Sequence, residues 1–178
     1  MRAHRIAALL VLALVTLVPG AAAAQQTHDH ASHSPYSGMQ SRDIKALDSA
    51  AVQDYLTGAG MGFALAAELN GHPGPRHVLE LADQLRLTEA QREATSRIFD
   101  GMQREATALG EQIVELEREL DRRFAHRHID AQTLDELTGK VALLNGRLRA
   151  VHLRAHIEQT ALLTGEQITL YQRLRGYE

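Results

Sequence analysis

Two stretches of the chain carry apolar residues whose spacing alternates three and four without a miss, and no other feature limits the possible folds so severely. After Thr88 they fall at Phe99, Met102, Ala106, Leu109, Ile113, Leu116 and Leu120. After Asp130 they fall at Leu134, Leu137, Val141, Leu144, Leu148, Val151 and Ala155. Such heptads lay one apolar seam along each helix. Only a short connection separates the two, so each seam is covered by folding back on the other. The pattern predicts an antiparallel, coiled-coil-like hairpin with helices over 89 to about 123 and 131 to about 162, and with Leu109, Ile113, Leu116, Leu137, Val141 and Leu144 in their contact. The first helix would be roughly 50 Å long at about 1.5 Å per residue. The opposite faces are crowded with Glu, Asp and Arg, as solvated faces are. No alternating β-pattern occurs. The expected fold class is all-α: an elongated antiparallel helical hairpin with short flanking helices.

The flanking pieces are shorter and more interrupted. Residues 43–56 read as an amphipathic helix, with Ile44, Leu47, Ala51 and Tyr55 spaced by three and four. Gly58, Gly60 and Gly62 break it at a hinge or close-packing point, and a second apolar piece spans 63–69. The cluster Asn70-Gly71-His72-Pro73-Gly74-Pro75 is a loop. A further short helix is expected over 76–85, with Val78, Leu81 and Leu85 on one side.

The N-terminal 24 residues carry an address. Arg2 and Arg5 precede an apolar run over 6–18, Pro19-Gly20 ends it, and four alanines supply a cleavage site before Gln25. The run is shorter than the ~20 residues of a transmembrane helix, so it reads as a secretory signal peptide and the mature chain as periplasmic. Removing it leaves 17 basic against 22 acidic side chains, a net charge of −5. That balance excludes a general case for nucleic acid, which needs a basic patch. The absence of cysteine excludes disulfides, thiolate metal sites and cysteine nucleophiles. Residues 25–42 are polar and His-rich with no hydrophobic period, so a disordered tail is expected there, followed by one helical domain over 43–178.

The helix starts are written in capping chemistry. Thr88 can accept from the Gln91 N–H while the Gln91 side chain returns a bond, and Thr164 with Gln167 repeats the arrangement. Leu163 with Ile168 can staple the second, and Asp130 caps the other long helix. Read bare, Leu-Thr-x-x-Gln marks a helix start and nothing more.

Two copies of that motif, Leu87-Thr88-Glu89-Ala90-Gln91 and Leu163-Thr164-Gly165-Glu166-Gln167, bracket the hairpin of an exported chain. In this the sequence resembles the Spy/CpxP family of periplasmic chaperones and stress-sensing proteins, which includes the zinc-resistance-associated protein ZraP and, more distantly, nickel–cobalt sensors of the CnrX type. The stretches Pro73-Gly74-Pro75-Arg76-His77-Val78-Leu79-Glu80-Leu81-Ala82 and Val151-His152-Leu153-Arg154-Ala155-His156 look like a branch described as periplasmic heavy-metal sensors. The resemblance spans about residues 43–176. It implies a curved homodimer whose concave face holds unfolded periplasmic proteins, metal binding in some members, and control of an envelope sensor protein in others. The acidic balance departs from the basic concave surfaces of the chaperone members.

No Ser/His/Asp order, phosphate-cradling glycine loop or His-Glu-x-x-His motif occurs, so the chain reads as non-enzymatic. His152 and His156 lie four apart on one helix face, within reach of a single ion or simply at the boundary of the core. Imidazole suits a divalent transition metal: zinc, copper, nickel or cobalt. The short helix beginning near His77 should cross the hairpin, which makes His77 the expected third ligand and His72 the second choice. His28, His30 and His33 form a weaker tail cluster, or an unstructured spacer. His126 and His128 sit at the hairpin tip, where partial protonation suits a helix C-terminus. Metal sensing or resistance is therefore expected first, and client-binding chaperone activity without a metal site second.

Overall fold

The computed structural model describes residues 34–177, so the leader expected over 1–24 and the tail histidines His28, His30 and His33 lie outside the described residues. Among the described residues six α-helices follow in order: α1 (Ser49–Thr57), α2 (Leu65–Glu68), α3 (Pro75–Glu80), α4 (Glu89–Ala125), α5 (Ala131–Leu162) and α6 (Gly165–Leu174). Among the described residues there is no strand, only an isolated bridge between Ile44 and Leu47. Nor is any helix among them long and apolar enough to cross a membrane. The fold is all-α. The described part of the expected tail, 34–42, holds turns and a single 3-10 turn at Met39–Ser41.

The heptads form the hairpin they predict. Ala106, Ile113, Leu144, Leu148 and Val151 make one buried cluster, and Met102, Leu109 and Leu116 pack against it. Leu137 is buried as well, and Val141 half-buried, so every expected contact residue lies on the inward face. The antiparallel register is visible in one polar pair, the Gln159 side chain donating to Thr95 Oγ1 at 3.2 Å, while the Tyr55 hydroxyl ties α1 to Asn145 on α5 at 3.1 Å. At the tip, His126 caps α4, Arg127 takes a left-handed conformation and Asp130 accepts from Thr133 N–H to start α5. Both tip histidines are exposed there.

A second core closes the open end of the hairpin. Val78, Ala82, Leu85, Leu87, Leu163 and Tyr171 are buried together, with Leu81, Ile168 and Leu170 against them. Both capping boxes are present, each Thr hydroxyl accepting from the Gln N–H three residues on.

Three short elements differ from expectation. The first helix begins at Ser49, not at Asp43, because the Asp48 carboxylate accepts from Ala51 N–H at 2.8 Å and so fixes the helix start there. The residues before it form a turn that buries Ile44, and Lys45 ties that turn to Asp121 through both its backbone N–H and its ammonium. Residues 63–69 yield only the four-residue α2, and α3 ends at Glu80, with Arg86 left-handed in the turn that follows.

Gly58 caps α1 in the left-handed region, at φ 63°. Gly110, within α4, has another role: a Cβ there would collide with the carbonyl of Tyr55, so α1 rests directly on the α4 backbone. This separates two glycine classes by experiment. Gly139→Ala and Gly146→Ala, whose Cβ atoms would meet open space, should each stabilise the chain by about 0.5–1 kcal/mol in denaturant unfolding. Gly110→Ala should instead lower stability by about 1–3 kcal/mol. A stabilising Gly110→Ala would show that α1 does not seat on α4.

Candidate metal centre

His152 and His156 do not sit at the core edge. They are 3 % and 9 % exposed, covered by the loop and helices that precede α4. The ring of His152 stacks on Phe63 with centroids 5.9 Å apart, and its Nε2 is buried without a hydrogen-bond partner. His156 is oriented from behind. Its Nδ1 lies 2.8 Å from the carbonyl oxygen of His72. A carbonyl only accepts, so Nδ1 carries the proton, and in the neutral ring Nε2 keeps a bare lone pair. The covering loop passes so close that a Cβ on Gly74 would lie 2.8 Å from His156 Cε1 and 2.9 Å from Nε2. Only glycine leaves that space.

Both histidines line a cavity of about 320 Å³ that also takes in Ala64, Pro75, His77, Phe99 and Met102. Burial pushes the His152 pKa below its usual value of 6.5, and the nearby His156 pushes it the same way. The imidazole is thus held neutral, its ligating form.

The sequence reading missed the group that organises this region. Glu68 is 5 % exposed, although it stands on a four-residue helix. Its Oε1 accepts from the Tyr171 hydroxyl at 2.5 Å and from Tyr177 at 3.1 Å, while Oε2 accepts from Gly74 N–H at 3.2 Å. Arg175 Nε lies 3.6 Å from Oε1, His77 Nδ1 3.5 Å from the same oxygen, and His156 Nδ1 3.7 Å from Oε2. Burial raises the Tyr171 pKa far above its usual value, and the bond to Glu68 adds to the shift. The one hint in the sequence is an acid set inside the apolar run 63–69.

The expected ligands therefore divide. His152 and His156 share the cavity wall. His77 lines the same cavity, and its Nδ1 faces Glu68 and, at 3.4 Å, the Tyr171 hydroxyl, so this ring too is held from behind through Nδ1. The His72 ring turns to its own loop, with Nδ1 3.1 Å from the Asn70 carbonyl oxygen, and it is the backbone of His72 that serves the site. Among the described residues, no three His, Asp or Glu side chains gather as a ready-made metal set.

The paired motifs reach further than helix capping. Gln91 Nε2 donates to Gln167 Oε1 at 2.9 Å, and Gln167 Nε2 donates to Gln91 Oε1 at 3.1 Å. Each amide also donates to a main-chain carbonyl beside the other motif, Gln91 to Leu162 and Gln167 to Leu85. With Leu87 and Leu163 buried in the second core, the two motifs clasp the start of α4 to the start of α6. No protein-family model, curated protein or solved structure matches the chain.

Two tests follow from this geometry. Glu68→Ala strands the buried Tyr171 hydroxyl and should destabilise the chain by at least about 1–3 kcal/mol, whereas Glu68→Gln, which still accepts, should do less harm. Equal losses in calorimetry would mean that packing, not hydrogen bonding, holds this carboxylate. The second test concerns pH. A lowered His152 pKa means that the unfolded chain takes up a proton near pH 6.5 that the folded chain refuses. The metal-free protein should therefore hold this contribution above pH 6.5 and lose it as pH falls from 6.5 toward the depressed folded value. His152→Gln should flatten that part of the profile; an unchanged slope would refute the assignment.

Proposed function

We propose that the chain is a non-enzymatic periplasmic stress protein of the Spy/CpxP type that binds a transition metal between His152 and His156 and takes part in metal sensing or resistance. One observation carries the reading: the buried Nε2 of His152 has no hydrogen-bond partner. A buried polar atom of that kind calls for a partner; three others occur among the described residues, on Gln159, Gln172 and Arg175, but of the four only His152 lines the cavity with a second imidazole. Beside it stands His156, whose outer nitrogen is already bonded to a carbonyl, the arrangement that orients metal-bound imidazoles. The homodimer, and a partner that is either an unfolded periplasmic protein or an envelope sensor protein, belong to the same proposal through the resemblance.

A second reading has its own support. Leu65, Leu69, Leu143 and Ile157 are large apolar side chains left 56 %, 58 %, 56 % and 61 % exposed. Half-exposed aliphatic groups in several places suit a chaperone that holds unfolded clients without any functional metal site.

Metal titration separates the two. Zinc, copper, nickel or cobalt at about a hundred times its dissociation constant should stabilise the purified chain by about 2.7 kcal/mol, read as a rise in thermal midpoint. The double change His152→Ala with His156→Ala should abolish the rise, and His28→Ala, His30→Ala and His33→Ala together should leave it. A rise that follows the tail histidines would overturn the metal reading. Client protection that survives the double change in full would then favour the chaperone.

A further inference from the structure

The chemistry around the two histidines selects among metals, an inference that rests on the metal reading above. We infer that the ion held by His152 and His156 is monovalent copper, with the thioether sulfur of Met102 as its third ligand.

The placement of Met102 comes from the hairpin register. Thr95 on α4 bonds Gln159 on α5, and Met102, two turns further along α4, packs against the cluster containing Leu148 and Val151. Met102 is thereby set opposite the turn of α5 that carries the two histidines, and it lines the same cavity. His77, the third ligand expected from sequence, also lines the cavity, its Nδ1 held by Glu68 and Tyr171 and its side chain 34 % exposed, whereas Met102 comes from the hairpin core itself.

Charge decides between a monovalent and a divalent ion. Two neutral imidazoles and a thioether bring no negative charge, and the chain has no cysteine. Glu68, the nearby carboxylate, already accepts from Tyr171, Tyr177 and Gly74 N–H, and it stands behind His156 on the Nδ1 side. It lies 3.7 Å from that Nδ1, whose proton goes to the His72 carbonyl, and so on the side of the ring away from the proposed ion. At the buried end of the cavity, beside His152 and His156, the self-energy of an ion rises with the square of its charge, so a divalent ion would carry about four times the penalty of a monovalent one. Zinc also favours four donors, commonly thiolate or carboxylate among them. Soft thioether and imidazole donors in low number suit Cu(I).

The test uses the full chain carrying His28→Ala, His30→Ala and His33→Ala, with Cu(I) titrated anaerobically against a chromogenic copper chelator and Zn(II) titrated in parallel. The expected result is one Cu(I) per chain, bound at least about tenfold more tightly than Zn(II), with sulfur in the copper X-ray absorption shell. Met102→Leu, a volume-conserving change, should remove the sulfur signal and weaken Cu(I) at least about tenfold without altering helical circular dichroism or Zn(II) binding. A copper shell of nitrogen and oxygen alone, or Cu(I) affinity indifferent to Met102→Leu, would overturn the inference. Zn(II) bound as tightly as Cu(I) or more tightly, and lost in His152→Ala with His156→Ala, would do the same while leaving the metal reading standing. Cu(I) and Zn(II) binding that both survive the double histidine change would sink both.

Discussion

Glu68 is a carboxylate taken out of water on a helix too short to be stable alone, and the parts around the two histidines meet at it. Removing such a group from solvent is costly unless its lone pairs are used. Here two tyrosine hydroxyls and a backbone N–H use them, with Arg175 alongside. Those donors come from α6, from the residues after it and from the loop before α3. One buried acid thus joins segments more than a hundred residues apart in sequence. Its stabilising value is modest in net terms, because each bond replaces one to water. Its value for specificity is larger: the loop cannot move without stranding the carboxylate.

The hairpin is the frame on which this anchor works. Its heptad cluster fixes the register of α4 against α5, and the reciprocal amide pair of Gln91 and Gln167 locks the open end. An amide pair of this kind satisfies both partners only when the two helix starts are held at one separation and angle. The capping boxes tie each glutamine locally, through Thr88 and Thr164, and the clasp ties them to one another. Local and long-range bonding then favour the same arrangement, the consistency expected of a sequence that specifies one fold.

That consistency also explains what could be read in advance. Periodicity and capping are local in sequence, so the bounds of α4 and α5, both capping boxes and the inward face of each long helix were legible to within a residue or two. The start of α1 was misread because Asp48 can cap a helix at Ser49, and that local bond outweighs an apolar spacing reaching back to Ile44. Glu68, Gly74 and Gly110 were not legible at all. Each matters only through a neighbour brought close by folding: Tyr171, His156 and Tyr55 respectively. The pair His152 and His156 lay between these cases. Their common helix face followed from spacing, whereas their depth, the bond from Nδ1 to His72 and the contact of His77 with Glu68 depend on the covering loop.

The covering loop makes the fold and the candidate site a single construction. Gly74 presents its N–H to Glu68 and, having no side chain, lets the loop close over His156. Two residues earlier the carbonyl of His72 accepts from the same imidazole and sets its tautomer. The carboxylate that anchors the loop therefore also fixes the ring that the site would use. Binding groups held in this way lose little freedom when a ligand arrives, which is the physical content of preorganisation. The arrangement works in the other direction too. A ligand that stiffens His156 stiffens the loop through His72 and Gly74, and with it the Glu68 bonds to Tyr171 and Tyr177. The segment from α6 to Tyr177 is then the part of the described surface to which a change at the two histidines is most directly connected, by hydrogen bonds that all pass through one buried acid.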